Sequence, residues 1–316
     1  MTTAYIGSIE GDGLTVAAAD PETGALTAVG SAPAREPSFL AFSADRRTLY
    51  AVVEAAEGAV TELDISDPAN PSIRRTFPTG QSGPTHLCVH GEHLAVAHYG
   101  DGTVTLHELA TGERTDVLRH EADEPHAHQV VSQDGWLVAV DLGADAVFTH
   151  RVDGGKLVQH ARCDLPAGTG PRHIAFQDSA LQGGRAYLLG EYVPGVTRLH
   201  WRDGALTPVG HDLVTAPGAP ETFPAEIVLA DNHIYTTNRG ENVVARLTLD
   251  GRLDQSVPTG GDWPRHCAID PTGRWLYVAN QRSNTVTWLP RDPATGVLGD
   301  AAGSLAVRGA CAVEFA

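Results

Sequence analysis

Histidine, arginine and glutamate recur one to three residues after a proline along this 316-residue chain, in Gly83-Pro84-Thr85-His86, Pro125-His126-Ala127-His128-Gln129, Gly170-Pro171-Arg172-His173, Pro224-Ala225-Glu226 and Pro264-Arg265-His266. These residue types suit proton transfer around a developing anion. Imidazole, with an ordinary pKa of about 6.5, can take and return a proton at neutral pH, whereas guanidinium never loses its charge and serves only to stabilise. A second polar set follows each proline at a longer interval: Glu54, Tyr99, Glu191, Arg239 and Gln281. Chemistry at one centre requires these separate stretches of chain to converge, so the elements that carry them decide the question.

Those elements repeat. The prolines at 37, 84, 125, 171, 224 and 264 are spaced by 47, 41, 46, 53 and 40 residues, the length of one four-stranded propeller blade. Each is followed by a short apolar strand, an Asp/Gly turn and two further strands, as in Pro37–Val53 and in Pro264–Asn280 with Thr285–Trp288. No helical periodicity separates the strands, which excludes a βαβ chain. The spacing predicts an all-β fold, a single seven-bladed propeller of four-stranded antiparallel blades over residues 1–316. The seventh blade is split between the termini: Tyr5–Ser8, Leu14–Ala17 and Ala25–Val29 supply three strands and Ala310–Phe315 the innermost one. Pairing of that last strand with the first three would close the ring and leave no open sheet edge.

Stacked on their turn glycines, the repeats give columns that become rings around a central channel. The column two residues into the innermost strand reads Phe39, His86, His128, His173, Glu226, His266 and Cys311; one residue earlier it reads Ser38, Thr85, Ala127, Arg172, Ala225, Arg265 and Ala310. A third column closes the second strand with Ser8, Val53, His98, Asp141, Gly190, Asn238 and Asn280. Buried charge is tolerated when paired or put to use, so the columns describe a polar funnel. Each histidine could instead donate an inter-blade hydrogen bond, the two arginines could simply pair with Glu191, and Glu54 and Asp141 could cap turns. The pair His126 and His128 has metal-ligand spacing, yet the surrounding arginines would repel a divalent ion, so a metal-free site is expected.

Composition narrows the partners. Thirty-nine Asp and Glu against 22 Lys and Arg give a net charge of −17, which disfavours nucleic acid and anionic membranes. There is neither a basic, apolar leader nor an apolar run of about 20 residues, so the expected location is the cytoplasm. Cys88, Cys163, Cys267 and Cys311 form no C-x-x-C pair and are expected to be buried free thiols.

These strings, with Asp141-Leu142-Gly143-Ala144-Asp145, Asn238-Arg239-Gly240 and Ala279-Asn280-Gln281 in the same order, resemble the lactonase family of seven-bladed propellers, the 6-phosphogluconolactonase-like proteins that include fungal carboxymuconate-lactonizing enzymes. The resemblance spans nearly the whole chain. It implies ring opening or closing of a lactone at one mouth of the channel, with no redox cofactor. It further implies that His128 or His126 is the acid/base group, that Arg172 and Arg265 hold an anionic substrate, and that Glu191 orients an arginine or activates water. The other polar ring members, His86, His173, Glu226, Arg239, His266 and Gln281, are expected to contact substrate. Two departures border this region: Gly190-Glu191-Tyr192-Val193-Pro194-Gly195 replaces the usual Asn-Glu, and Gln182-Gly183-Gly184 lengthens the preceding turn. Hydrolysis of a small acidic or sugar lactone, cyclisation or elimination on an unsaturated acid, and a non-enzymatic binding disc all remain open at this point.

Overall fold

The second strand of each repeat is buried along most of its length and largely apolar until its last residues. Thr48–Val53 is buried at every position, and Leu137–Asp141 is fully covered as well. Such runs form when both faces of a strand are covered. The fourth strands alternate instead, as in Lys156–Asp164, with apolar residues inward and polar ones toward solvent. Sheets built this way must be packed on both sides near their inner edge and wet at their outer edge, which is the geometry of blades around an axis.

The computed structural model describes residues 2–11, 13–177 and 184–316. Gln182 and Gly183 of the lengthened turn lie outside these residues. Seven four-stranded antiparallel sheets are present, and every described strand belongs to one of them. No helix long and apolar enough to cross a membrane occurs among the described residues. The innermost strands are Leu40–Phe42 (β4), Pro84–His90 (β8), Ala127–Gln133 (β12), Pro171–Gln177 (β16), Phe223–Ala230 (β20), Pro264–Ile269 (β24) and Ala310–Phe315 (β28).

Seven apolar clusters fill the seven interfaces between neighbouring blades. Val52 and Val60 meet Leu87 and Val96 at one interface, and Ile6 and Val313 meet Tyr277 and Val286 where the ring closes. Buried tyrosines at equivalent places in four of the second strands fasten their blade to a turn of the next: the hydroxyls of Tyr5, Tyr187, Tyr235 and Tyr277 donate to the carbonyls of Pro68, Leu249, Gly296 and Gly24 at 3.0, 3.2, 2.7 and 2.8 Å. Each phenol is apolar in its body and satisfied at its tip, so it packs two blades and fixes their rotation together.

Closure is by backbone. β28 pairs antiparallel with Thr2–Ser8 (β1), Ala4 opposite Phe315 and Ile6 opposite Val313, so strands from both termini share one blade. Removing the last ten residues takes away this strand and exposes the faces of two interfaces. The truncated chain is expected to lose its single cooperative thermal transition, as read by circular dichroism; an unchanged melting curve would show that the latch is dispensable.

Candidate active site

The inner strands run parallel to one another from a common mouth, with their prolines or the equivalent residue at that end. Six of the seven carry an irregularity there, β4 being the exception. Pro84 faces His98 and His86 faces Ala97; likewise Pro171 and His173, Pro224 and Glu226, and Pro264 and His266 face consecutive residues of their second strands. One residue per strand, namely Thr85, Arg172, Ala225 and Arg265, is therefore bulged out of the ladder. A bulge bends the strand and re-aims the extra side chain.

In β12 the same bulge falls one residue later than the stacked columns suggest, because Ala127 faces Asp141 and Gln129 faces Val140. His128 is thus the bulged residue, on the level of Arg172 and Arg265, while Gln129 takes the place of His86, His173, Glu226 and His266. In the closing blade Ser8 faces Ala310 and Gly7 faces Ala312, so Cys311 also belongs to the bulged level. The columns read from sequence are corrected accordingly: His128 and Cys311 move to the ring nearer the mouth. Contacts between blades agree, since the Thr85 hydroxyl donates to the His128 carbonyl at 3.2 Å, an Arg172 guanidinium N–H to the Ala225 carbonyl, and the Cys311 thiol to the Ser38 carbonyl at 3.6 Å.

Above this ring stand the residues that follow the second strands, each pinned by its backbone. The amides of Glu54, Tyr99, Glu191 and Gln281 donate to the carbonyls of Glu36, Gly83, Gly170 and Trp263 at 3.3, 2.9, 2.8 and 3.0 Å. All four accepting residues adopt left-handed φ, at 42°, 59°, 58° and 64°. Glycine does so freely; a tryptophan there is strained, and strain of this kind collects at functional sites. Trp263 lies between Arg282, whose guanidinium carbon is 3.3 Å from the ring centroid, and Arg239 at 5.4 Å. Its amide is held by the Asn242 side chain at 2.9 Å. No repeat signal marks Trp263 except that it replaces the glycine found before Pro84 and Pro171.

One carboxylate oxygen of Glu191 lies 3.1 Å from Arg172 Nε and 2.8 Å from an Arg239 terminal nitrogen. The Arg172 Nε is within ion-pair distance yet makes no aligned hydrogen bond, leaving a buried donor unused. Arg265 pairs with Glu54 at 3.4 Å. Three guanidinium groups therefore face two carboxylates, and the mouth keeps an uncompensated positive charge in a strongly acidic protein. Burial, with Arg239 beside it, pulls Arg172 down to about 9, which leaves it charged at neutral pH. For Arg265 desolvation is the largest single effect, but the charges of Glu54, Cys311 and Glu191 together outweigh it and raise the guanidinium.

His128 is 6 % exposed and its Nδ1 has no partner. Burial, then the charges of Arg172 and His173, holds it well below the ordinary imidazole value, so it is a neutral acceptor at pH 7. His126 precedes β12 and lies nearer the rim, stacked on Tyr99 at 4.4 Å, with its Nδ1 2.7 Å from the Tyr99 carbonyl. Tyr99 meets His128 on its other side at 6.0 Å. Both histidines thus contact one phenol ring, and among the described residues no cluster of His, Cys, Asp and Glu is arranged to hold a metal ion. Gln281 brings an unpartnered Oε1 to the same mouth. Asp141 does cap a turn: its Oδ1 accepts from the amides of His126 and Ala144 and its Oδ2 meets His120 at 2.7 Å. Gly190 is required by its own turn, for a Cβ would approach the Val193 carbonyl to 2.7 Å.

His86, His173, Glu226 and His266 sit one level deeper. His173 Nδ1 lies 2.8 Å from Glu226 Oε1, and the rings of Phe39, His86 and His173 pack together at mid-channel. Of these, His86, Glu226 and His266 line a pocket that also includes Ile269 and Glu314, residues at the far ends of β24 and β28. The expected substrate contacts therefore divide between two mouths: Arg239 and Gln281 lie with the arginines, the other three face the opposite end, and His173 lies between.

The family described as lactonase, seven-bladed β-propeller, matches residues 3–315. A 6-phosphogluconolactonase of Bacillus subtilis is 26% identical over 293 residues, covering 83% of this chain and 82% of its own length. An uncharacterised protein of Staphylococcus saprophyticus is 27% identical, covering 93% of each chain. Among solved structures, the periplasmic gluconolactonase of Pseudomonas aeruginosa superposes with a TM-score of 0.91 at 25% identity, over 99% of this chain and 98% of its own.

Two consequences are measurable. Glu191→Gln leaves Arg172 and Arg239 facing each other unpaired and should cost roughly 3 kcal/mol in a urea titration; a neutral outcome would mean the guanidinium groups find other partners. His86, His98, His107, His128, His150, His173 and His266 are all lowered, chiefly by burial. Below about pH 6.5 the unfolded chain therefore binds protons that the folded one refuses, and each such histidine removes up to about 1.4 kcal/mol per pH unit. The raised carboxyls of Glu226 and Glu314 act in the opposite sense but are fewer. The melting temperature should fall steeply as pH drops from 6.5 to 4.5, and should decline more gently as pH rises from 6.5 towards 8, where the raised carboxyls act without the histidines. With its fold, its mouth of arginines and its match over almost every residue, this chain belongs to the seven-bladed β-propeller lactonase family.

Proposed function

We propose that the protein hydrolyses a small lactone bearing a carboxylate or phosphate, at the mouth that holds His128, Arg172, Arg239 and Arg265. The observation that carries this reading is the bulge in β12, which sets a neutral, unpartnered imidazole on the level of two charged guanidinium groups. The names of the relatives, which act on 6-phosphogluconolactone and gluconolactone, support the substrate class.

Ring opening needs a base, a counter-charge and a clamp. His128 takes a proton from water, and the hydroxide adds to the lactone carbonyl carbon. The carbonyl oxygen becomes an oxyanion stabilised by a guanidinium group. Collapse breaks the ring C–O bond, and the imidazolium returns the proton to the departing alkoxide, giving a hydroxy acid. Glu191, held between Arg172 and Arg239, keeps both forks in place and is a positioning residue. The uncompensated positive charge of the mouth selects an anionic substrate against the negative field of the rest of the molecule.

Ring opening of gluconolactone, its 6-phosphate and a muconolactone tests the reading. His128→Ala should lower kcat on the preferred lactone by about 10²–10⁴-fold. Arg172→Ala should raise KM for the acidic lactones far more than for the neutral one; equal effects on both would contradict the clamp. Turnover of none of the three by the intact protein would remove the hydrolase assignment.

A further inference from the structure

The channel has a second polar end that the proposed reaction does not use. The pocket there, of about 480 Å³, extends along the C-terminal halves of β20 and β24, away from Arg172 and Arg265. Its walls mix polar and apolar surface, with Ile227, Leu229 and Ile269 on the apolar side, and its polar end is formed by Glu226, His266 and Glu314.

Donors are scarce at that end. The amide of Val313 donates to His266 Nδ1 at 3.4 Å, so the neutral ring carries its hydrogen on Nε2. That nitrogen lies 3.3 Å from Glu226 Oε2 and 3.7 Å from Glu314 Oε1, within ion-pair reach of both carboxyl groups but with an aligned hydrogen bond to neither. Glu226 is 6 % exposed, yet its Oε2 makes no hydrogen bond, and the pocket-lining His86 Nδ1 is also unpartnered. Buried acceptors without donors are costly and call for a ligand that brings donors. Among the described residues no set of three metal-binding groups occurs here. An ammonium group offers three N–H donors and a positive charge, and a short alkyl stem can lie against the apolar stretch of Ile227, Leu229 and Ile269.

We propose that this opposite mouth is a binding site for a primary alkylammonium, its nitrogen held between Glu226 and Glu314 and its carbon chain lying along β20 and β24. The site is independent of the lactone mouth. Glu314 faces Glu226, His266 and Cys267, with Arg46 the one nearby cation. Burial, and then Glu226, pushes its carboxyl up to about 8, so near neutral pH an arriving ammonium must displace a proton. Affinity therefore rises with pH and levels off above that value.

Isothermal titration of the full-length protein with n-butylammonium chloride tests this without any activity assay. Saturable binding is expected, tighter at pH 8.5 than at 6.5, with heats at pH 6.5 that depend on the buffer because a proton is released. Glu314→Gln, at the half-exposed rim, should weaken binding about tenfold or more, the loss of one charge-assisted hydrogen bond; Glu226→Gln should do the same. Absence of saturable heat, equal binding of n-butanol or of potassium ion, or unchanged affinity in a folded Glu314→Gln protein would overturn the proposal.

Discussion

Every blade interface depends on the ring being complete. The second strands are apolar on both faces, and only a neighbour on each side keeps those faces dry; a missing blade would expose two of them at once. The pairing of β28 with β1 therefore does more than join the termini. It lets the seventh apolar cluster form on the same terms as the other six, and tyrosine hydroxyl bonds from blade to next-blade turn add a polar fastening at four of the seven interfaces.

That rigidity is what a site assembled from several blades needs. His128, Arg172, Glu191, Arg239 and Arg265 come from four blades, and their relative positions are fixed by ladders and by backbone bonds to the left-handed residues before each inner strand. Holding Arg172, Arg239 and Glu191 together would be unfavourable on a mobile surface, where two like charges would separate. Here desolvation is offset by the shared carboxylate, and the leftover positive charge is retained at a mouth of a protein that is otherwise strongly negative.

The channel separates two environments with the same residue types. Near the prolines, burial reinforced by the arginines holds the histidine neutral, and the guanidinium groups provide donors in excess. At the other end, glutamates outnumber donors and one carboxyl is pushed toward neutrality. A packed layer of Phe39, His86 and His173 lies between them. Polar rings around one axis are thus not one funnel but two unlike ends.

Much was legible in the chain itself. Proline spacing, the Asp/Gly turns and the apolar second strands determined the blades, their number and the split seventh sheet, because local alternation and turn chemistry act over a few residues. Arg172, Glu191 and Arg265 could be placed at one mouth for the same reason. Which residue of Pro125-His126-Ala127-His128-Gln129 bulges was not written there: the register depends on pairing with Trp136–Asp141 and on Asp141 capping the turn, and a slip of one residue exchanges His128 with Gln129. Nor could the sequence tell that His86, Glu226 and His266 face away from the arginines, or that Trp263 would be forced into a left-handed turn between two guanidinium groups. Level and facing along an axis are set only when all seven sheets are packed, since they depend on contacts between residues far apart in the chain.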